Sequence, residues 1–381
     1  MTTGQGHAAP TPDSTATTRA PVVSLVVATY DRLDSLIRLL SCLAEQTLSP
    51  DRFEVIVVDD GSAVPVRPHV ALRRYPFPLT VIEQANAGPA AARHRGVLEA
   101  RGEILVLVDD DMELPPRFLE THLAHHASGR PTAVFGRYVS DPKIGTKSIF
   151  ERYHGLKWDE LSGAVASGRV RVDGTHLATG NASMRREDYL RVGGLDLSLP
   201  RAEDVALGLD LEEIGVALVF SDAAYSVHLS DHSQPEKWRR RALVHGHLEP
   251  RIARKHPKMA HADPWRFAFS LPLAGRILCL PSVLAPGIGE RLATITYKAA
   301  EYADDLGFEG VAIRATGLVF GMEYFRGLRQ EAGSLRGVLS RCAEFLAKAA
   351  ISDRPVAGVP AWLARGVRAI TRDERQGSSG V

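Results

Sequence analysis

Three short acidic clusters hold the side chains best suited to chemistry in this chain. They are Asp31 within Thr29-Tyr30-Asp31, Asp59-Asp60 ahead of Gly61-Ser62, and Asp109-Asp110-Asp111. Each follows directly on an apolar, β-branched run: 22–28 (VVSLVVA), 53–58 (FEVIVV) and 104–108 (ILVLV). Crowded carboxylates repel one another unless a cation lies among them, and hard oxygen donors select Mg2+ or Mn2+. A solvated turn accounts for any one acidic cluster. Three strands that all end in one point instead to a ligand held through a divalent cation.

The elements that position these clusters follow from the same runs. Near-continuous β-branched stretches suit strands covered on both faces of a parallel sheet. Between the first two, Leu36, Leu39, Leu40 and Leu43 recur at helical spacing behind Asp34, with Asp34 or Asp31 as cap. A weaker strand is expected over 79–83 and a helix over 90–101. Alternating strands and helices imply βαβ units with right-handed crossovers, and ligands bind beyond the carboxyl ends of such strands. The expected fold is therefore α/β: a Rossmann-like, mostly parallel sheet flanked by helices. Neither G-x-G-x-x-G nor G-x-x-x-x-G-K-[ST] follows the first strand, which argues against a dinucleotide dehydrogenase and a P-loop NTPase.

The chain has 381 residues, 45% hydrophobic and 24% charged, a composition that supports a large core without disulfides or structural metal. Lys and Arg number 46 against 45 Asp and Glu, so no basic excess marks a nucleic-acid-coating protein. The three widely spaced cysteines form no disulfide framework or zinc motif. Residues 1–20 lack an apolar signal core and are expected to be a disordered tail. No stretch is apolar enough to span a membrane; 277–289 is short and broken by Pro281 and Pro286. A cytoplasmic location is expected, with peripheral contact at the inner membrane face as one role for 265–288. The basic stretch 235–255, with Trp238, Arg239, Arg240 and Arg241, is helical in pattern. It suits a solvated helix face, a lid over a diphosphate, or a surface facing anionic lipid. Segment 335–349 also has helical periodicity, and 355–381 reads as an amphipathic piece ending in a polar tail.

Five segments, in order, resemble the family 2 glycosyltransferases, the inverting group with the GT-A fold. They are VSLVVATYDR (23–32), FEVIVVDDGS (53–62), NAGPAAARHRG (86–96), GEILVLVDDDMELPP (102–116) and TGNASMRREDYLRVGGLD (179–196), the last followed by Glu203-Asp204. The resemblance implies a GT-A nucleotide-sugar-binding and catalytic domain over 21–232 and a helical C-terminal region over 233–354, which would serve as lid, acceptor side, or membrane or oligomer contact. It implies a nucleoside-diphosphate sugar as donor, UDP-linked by commonness, and Mn2+ or Mg2+ as cofactor. The acceptor is a hydroxyl or amine on a lipid, glycan, protein or small metabolite.

Roles carry over residue by residue. Asp111 is expected to bind the metal, with Asp109 turned to the ribose or the metal's water shell; in an extended segment these two point one way and Asp110 the other. Thr29, Tyr30 and Asp60 are placed at the donor base, Asp60 accepting from its imide and Tyr30 lending a ring face, and Asp110 belongs to the same donor rim. Arg93 pairs with a phosphate or with a metal-site carboxylate, and His94 departs from the Asn common at that position. Gly180 and Asn181 form the loop facing sugar and acceptor. Asp204 is the expected general base, with Glu203 orienting; acidic residues in a first helical turn also simply complement the dipole. His228 is a metal ligand or an ordinary strand histidine, and His232 is the alternative ligand. A nucleotidyltransferase and a catalytically retired GT-A binding module remain the alternatives. The first lacks its Gly-rich, Lys-containing signature here, and the second is at odds with the retained Asp109, Asp111 and Asp204.

Overall fold

The computed structural model describes residues 20–229 and 234–352. The first apolar run forms β1 (Val23–Thr29), and α1 (Leu33–Ala44) buries Leu36, Leu39, Leu40 and Leu43 as their spacing requires. Neither expected aspartate caps α1, whose N-cap is Arg32. Asp31 instead takes a left-handed φ of 54° and accepts from the Ala63 amide at 2.7 Å, tying two loops of the rim together. Then come β2 (Phe53–Asp59), a short α2 (Val66–Ala71) without a sequence signal, β3 (Leu79–Glu83), α3 (Pro89–Glu99) and β4 (Ile104–Asp109).

These four strands pair in parallel in the order β3-β2-β1-β4. Thr29 lies beside Asp59 and Ala28 beside Asp109, so the acidic strand ends arrive at one edge. Alternate residues face opposite ways. Leu25, Val55, Val57 and Val106 pack with α1 on one face, while Val26, Ile56, Leu105 and Leu107 pack with α3 residues on the other.

Past β4 the parallel pattern ends. The chain continues through β5 (Met112–Glu113), α4 (Phe118–Ala124), β6 (Thr132–Ser140), α5 (Ile149–Ala166), β7 (Asn181–Arg185), α6 (Arg186–Arg191), α7 (Glu203–Glu213) and β8 (Ala217–His228). β7 runs antiparallel to β4 and β6, and β8 pairs with β6 and the short β5. The result is a mixed eight-stranded sheet with four of its seven pairings parallel.

A helical region follows: α8 (Pro235–Lys255), α9 (Arg266–Ser270), α10 (Leu273–Leu284), α11 (Pro286–Asp305), α12 (Glu309–Ala332) and α13 (Leu335–Ile351). α8 crosses α12 where Gly246 and Gly327 let the backbones touch; a Cβ on either would strike the carbonyl oxygen of Tyr324 or of Leu243. Phe150 and Tyr153 of α5 pack with Trp238, Tyr297 and Val319, joining the sheet's helices to this region.

The packing of 235–255 divides those expectations: Lys237, Arg240 and Arg251 stay exposed on a solvated face, whereas Trp238 is drawn into the interior instead of standing over the sheet edge. Trp238 is buried, and its indole donates to His154 Nε2 at 2.8 Å. Arg239 pairs with the buried Glu323 at 2.8 Å, Arg254 with Glu331 at 2.6 Å and Lys255 with Asp196 at 2.7 Å. By contrast, Leu273, Ile277, Leu280 and Leu284 of α10, and then Ile288, are exposed at helical spacing. No described helix is long and apolar enough to cross a membrane. Residues 1–19 of the tail expected over 1–20, the piece over 355–381, and His232 lie outside the described residues.

Candidate active site

The site is built on one buried cation. Arg93, on α3 and almost fully buried, bonds Asp109 at the end of β4 through Nη2 and reaches Glu203 at the start of α7 through Nη1 at 3.5 Å. Burial opposes its charge, but Asp109 and then Glu203 more than offset this and raise its pKa. Burial likewise pushes the Asp109 carboxyl up, and Arg93 outweighs it, holding Asp109 below its ordinary value. Residues 110 apart in sequence are thereby joined across the sheet edge.

The aspartates after β4 depart from the extended geometry expected of them. The chain turns at Asp110 and Asp111 before β5, so these two face the same partner. Arg32 Nη1 donates to Asp110 Oδ1 at 3.1 Å and to Asp111 Oδ2 at 2.7 Å. Thr29 Oγ1 donates to Asp110 Oδ2 at 2.7 Å, which places Thr29 inside the rim rather than against a ligand. Burial and then the neighbouring Asp111 push the Asp110 carboxyl up to about 6. Asp109, not Asp110, is the one set apart.

The pairing of β5 with β8 sets Met112 opposite His228, and the Leu229 amide bonds the Asp111 carbonyl at 2.9 Å. His228 Nε2 thus lies 3.7 Å from Asp111 Oδ1, and its Nδ1 lies 3.7 Å from Glu151 Oε1. Asp111 Oδ1 is buried and has no hydrogen-bond partner among the described residues. An orphaned carboxylate oxygen facing an imidazole nitrogen is a donor set that fits a divalent cation.

Tyr138, which sequence patterning does not single out, lies at the centre of these groups. It is buried on β6, stacks on Trp158 at 4.3 Å between centroids, and meets the His228 ring edge-on at 5.8 Å. Burial, then Asp109 and Asp204, hold its hydroxyl well above its ordinary pKa. Gly180 borders it: a Cβ there would collide with the Asp109 carboxylate and the Tyr138 hydroxyl. The adjoining Asn181 does not face the site as expected. Its side chain is fully buried, donating through Nδ2 to the Ala224 carbonyl and Ser226 Oγ at 2.9 Å each and accepting at Oδ1 from His122 Nε2, also at 2.9 Å. It clamps β7 to β8 and α4.

Glu203 and Asp204 open α7 behind Ala202, which is buried in the left-handed conformation at φ 62°. Asp204 Oδ1 accepts from the Val205 amide at 2.8 Å. Burial and then Glu203 push its carboxyl up to about 6.

At the end of β2, Asp60 is buried with both oxygens engaged: Oδ1 by Gln84 Nε2 at 2.8 Å and Ala87 N at 2.9 Å, Oδ2 by Gly88 N at 2.9 Å. It closes the loop 84–88 on itself, while Tyr30 stands half exposed at the end of β1. His94 turns away from the hollow, with Nδ1 3.0 Å from the Tyr189 hydroxyl.

The tightest grouping of His and carboxylate ligand atoms among the described residues lies elsewhere, at Asp210, Glu213 and His256. There Nε2 faces Asp210 at 3.3 Å and Nδ1 faces Glu213 at 2.7 Å, and these bonds raise the imidazole pKa. The ring, set between two carboxylates, clamps the end of α8 to α7.

Sequence reasoning gave no site role to Arg32, the last residue of the quoted TYDR segment, to Arg201, which shortly precedes Asp204, or to His245, and it placed Arg241 only within the basic stretch. Arg241 and His245 act on Asp204 through the placement of α8.

Comparison with known proteins agrees with this architecture. Residues 24–193 match the model of glycosyl transferase family 2. The chain is 27% identical over 269 residues to a validoxylamine A glucosyltransferase of Streptomyces hygroscopicus subsp. limoneus, covering 64% of this chain and 59% of that one. It is 27% identical over 237 residues to the pre-mycofactocin glycosyltransferase of Mycobacterium tuberculosis, covering 62% and 48%. The chain therefore spans less than two thirds of these relatives. A Pyrobaculum calidifontis mannosyltransferase solved with GDP-Man and Mn2+ superposes with a TM-score of 0.57 at 21% identity, covering 80% of this chain and 86% of that one. The shared arrangement is the GT-A fold: a mixed sheet between helices, here extended by the helical region.

Proposed function

Given that residues 24–193 form a family 2 glycosyl transferase domain, we propose that the protein is an inverting, metal-dependent glycosyltransferase. It moves a sugar from a nucleoside-diphosphate donor to a hydroxyl or amine acceptor. In this reading residues 21–232 are the catalytic unit and 233–354 a helical unit against its acceptor side. One observation carries it: Arg93 bonds both Asp109 and Glu203, so the donor-side aspartates and the carboxylates opening α7 are gathered around one buried cation.

In such a displacement the acceptor oxygen bonds the anomeric carbon as the carbon–oxygen bond to the nucleotide breaks. The bonding pair leaves with the diphosphate, and the acceptor proton must go to a base. Asp204 takes that proton. Its half-buried carboxyl, pushed up to about 6, is ionised at neutral pH yet basic enough to accept it. Glu203, held by Arg93, orients the acceptor or the base.

Asp111 and His228, with Asp109 beside them, would hold Mn2+ or Mg2+, and a bound cation supplies Lewis-acid stabilisation of the charge gathering on the departing diphosphate. Tyr30 offers a ring face to the base, and the Asp60 turn shapes the loop beneath it. UDP-sugars are the first donors to try, and the GDP-Man held by the Pyrobaculum protein makes guanosine the second. The exposed aliphatic face of α10 suits peripheral attachment to a membrane, which vesicle sedimentation tests.

The decisive experiment incubates the full chain with a panel of nucleotide sugars and Mn2+. Metal-dependent thermal stabilisation by one donor, with release of nucleoside diphosphate, supports the transferase. Release of pyrophosphate supports a nucleotidyltransferase, and donor binding with no turnover supports a retired module.

A further inference from the structure

Two polar atoms near the Arg93 cluster have no hydrogen-bond partner among the described residues. The first is the hydroxyl of Tyr138. That residue is more than nine-tenths buried, its ring held by the Trp158 stack at 4.3 Å and the edge-on His228 ring at 5.8 Å, yet its hydroxyl bonds nothing there. The second is Asp109 Oδ2: Arg93 takes Oδ1 and leaves the other oxygen unused. The Tyr138 hydroxyl thus gives the fold nothing that a phenylalanine would lack.

Gly180 brings the two atoms together. A Cβ on it would lie 2.7 Å from the Tyr138 oxygen and 2.8 Å from Asp109 Cγ, and nearer still to Oδ2, so only a glycine lets both approach. The backbone supplies the aim. Gly136 of β6 pairs with Ser221 of β8 and Tyr138 with Ser226, which leaves residues 222–225 opposite Arg137 alone. An irregularity of this kind re-aims the side chain beside it, and this one directly precedes Tyr138.

The chemistry of the pair selects its ligand. At neutral pH a phenol donates a hydrogen bond, and a carboxylate held ionised by Arg93 accepts one. A ligand hydroxyl does both at once, receiving from Tyr138 and giving to Asp109. A phosphate oxygen has no proton for the carboxylate. The ribose adjoins the base, which belongs with Tyr30 and Asp60 at the ends of β1 and β2, whereas Tyr138 comes from β6 on the far side of β4. The transferred sugar lies between the diphosphate, at Asp111 and His228, and the acceptor, at Asp204. The pair spans that interval: Tyr138 meets His228, and Arg93 joins Asp109 to Glu203.

We propose that Tyr138 and Asp109 Oδ2 clamp one hydroxyl of the transferred sugar beside Gly180, which makes Tyr138 a residue that selects among donor sugars. This rests on the transferase reading above and specifies how its donor is read.

Calorimetry and kinetics on the full chain with Mn2+ test it. They compare the nucleotide sugar that the panel above turns over, its monodeoxy analogues and its bare nucleoside diphosphate. Tyr138→Phe is expected to weaken binding of the nucleotide sugar and to lower kcat/KM by about three- to tenfold, the worth of one hydrogen bond, with affinity for the bare diphosphate unchanged. For one monodeoxy analogue the variant and the wild type should be equal, because the hydroxyl that Tyr138 reads is already missing. The melting temperature should not fall, since the lost hydroxyl bonds no protein group.

Weaker binding of the bare diphosphate overturns the proposal, because the hydroxyl would then serve ribose or phosphate. An equal loss with every monodeoxy analogue overturns it as well, leaving Tyr138 a packing residue. So does a raised acceptor KM with donor affinity kept, which would assign the hydroxyl to the acceptor. Failure of the transferase reading has a different signature: no nucleotide sugar would bind in a metal-dependent way or be turned over. A chain that transfers sugar equally well with Phe at 138 leaves the transferase standing and removes the clamp.

Discussion

Asp109 and Asp204 lie on either side of the Arg93 cluster, both are half-buried, and they titrate in opposite directions. Asp109 is bonded by Arg93 and held low, whereas Asp204 has Glu203 as its near neighbour and is pushed up to about 6. Burial acts on both in the same sense, so the partner decides. A carboxylate matched to a buried arginine stays ionised at any physiological pH, as suits a cation or phosphate neighbour. A carboxylate placed beside another carboxylate titrates near neutrality, as suits a proton acceptor. One residue type thus supplies two chemistries through what is packed next to it.

The contrast breaks first at the donor side. Asp111→Ala is expected to abolish metal-dependent binding of nucleotide sugar and transfer with it, while circular dichroism shows the fold intact; transfer at the wild-type rate would remove Asp111 from the metal site. Asp204→Asn is expected to cut transfer by about 10²–10⁴-fold while calorimetry finds donor affinity kept. Loss of donor binding instead would move Asp204 to the donor half. Arg93→Met removes the shared cation and leaves Asp109 and Glu203 buried without it, at a cost of about 3–5 kcal/mol in denaturant unfolding.

The pH dependence sharpens the same comparison. Transfer should fall as pH drops through about 6, as Asp204 takes up its proton, and the Asn variant should lack that limb. The sign for stability follows from the same raised value. Between the ordinary 3.8 and about 6 the folded state holds the extra proton, so stability declines as pH rises through that window and stays lower above it. Asp204→Asn should therefore stabilise the protein on the order of 1–2 kcal/mol at pH 8 and by little at pH 4, measured by thermal unfolding. Tyr138→Phe, which removes only a hydroxyl beside Asp109 and Gly180, should lower transfer by about tenfold or less, comparable with the loss of one hydrogen bond to a charged group.

Most of the parallel half was legible because its information is local. Buried strands announce themselves as β-branched runs, and the residues that follow them land on the ligand edge by topology alone. Asp109 and Asp111 could be singled out on that basis, whereas Glu203-Asp204, at the start of a helix, were singled out by the family resemblance alone. What was not legible depends on contacts between distant elements. Arg32 joins Asp110 to Asp111 only because the chain turns after β4, and Tyr138 reaches the hollow only through β6. Trp238 among its arginines suited a lid over a diphosphate, but α5 and α12 cover it. Asn181 misled for the same reason: its neighbour Gly180 borders the hollow, but strand alternation sends the next side chain the other way.

Ala202 has a consequence of its own. It is held in a left-handed backbone conformation that costs an ordinary residue roughly 1–2 kcal/mol, immediately before Glu203 and Asp204. The aliphatic contacts from Leu209 and Ile252 that bury it keep the peptide in that posture, so the aim of the base is maintained from beneath by greasy side chains that never meet a ligand. Glycine at 202 would relax the bend, giving a hardier protein with a less steadily pointed carboxylate, and drift there would erode turnover while every polar group of the hollow stayed in place.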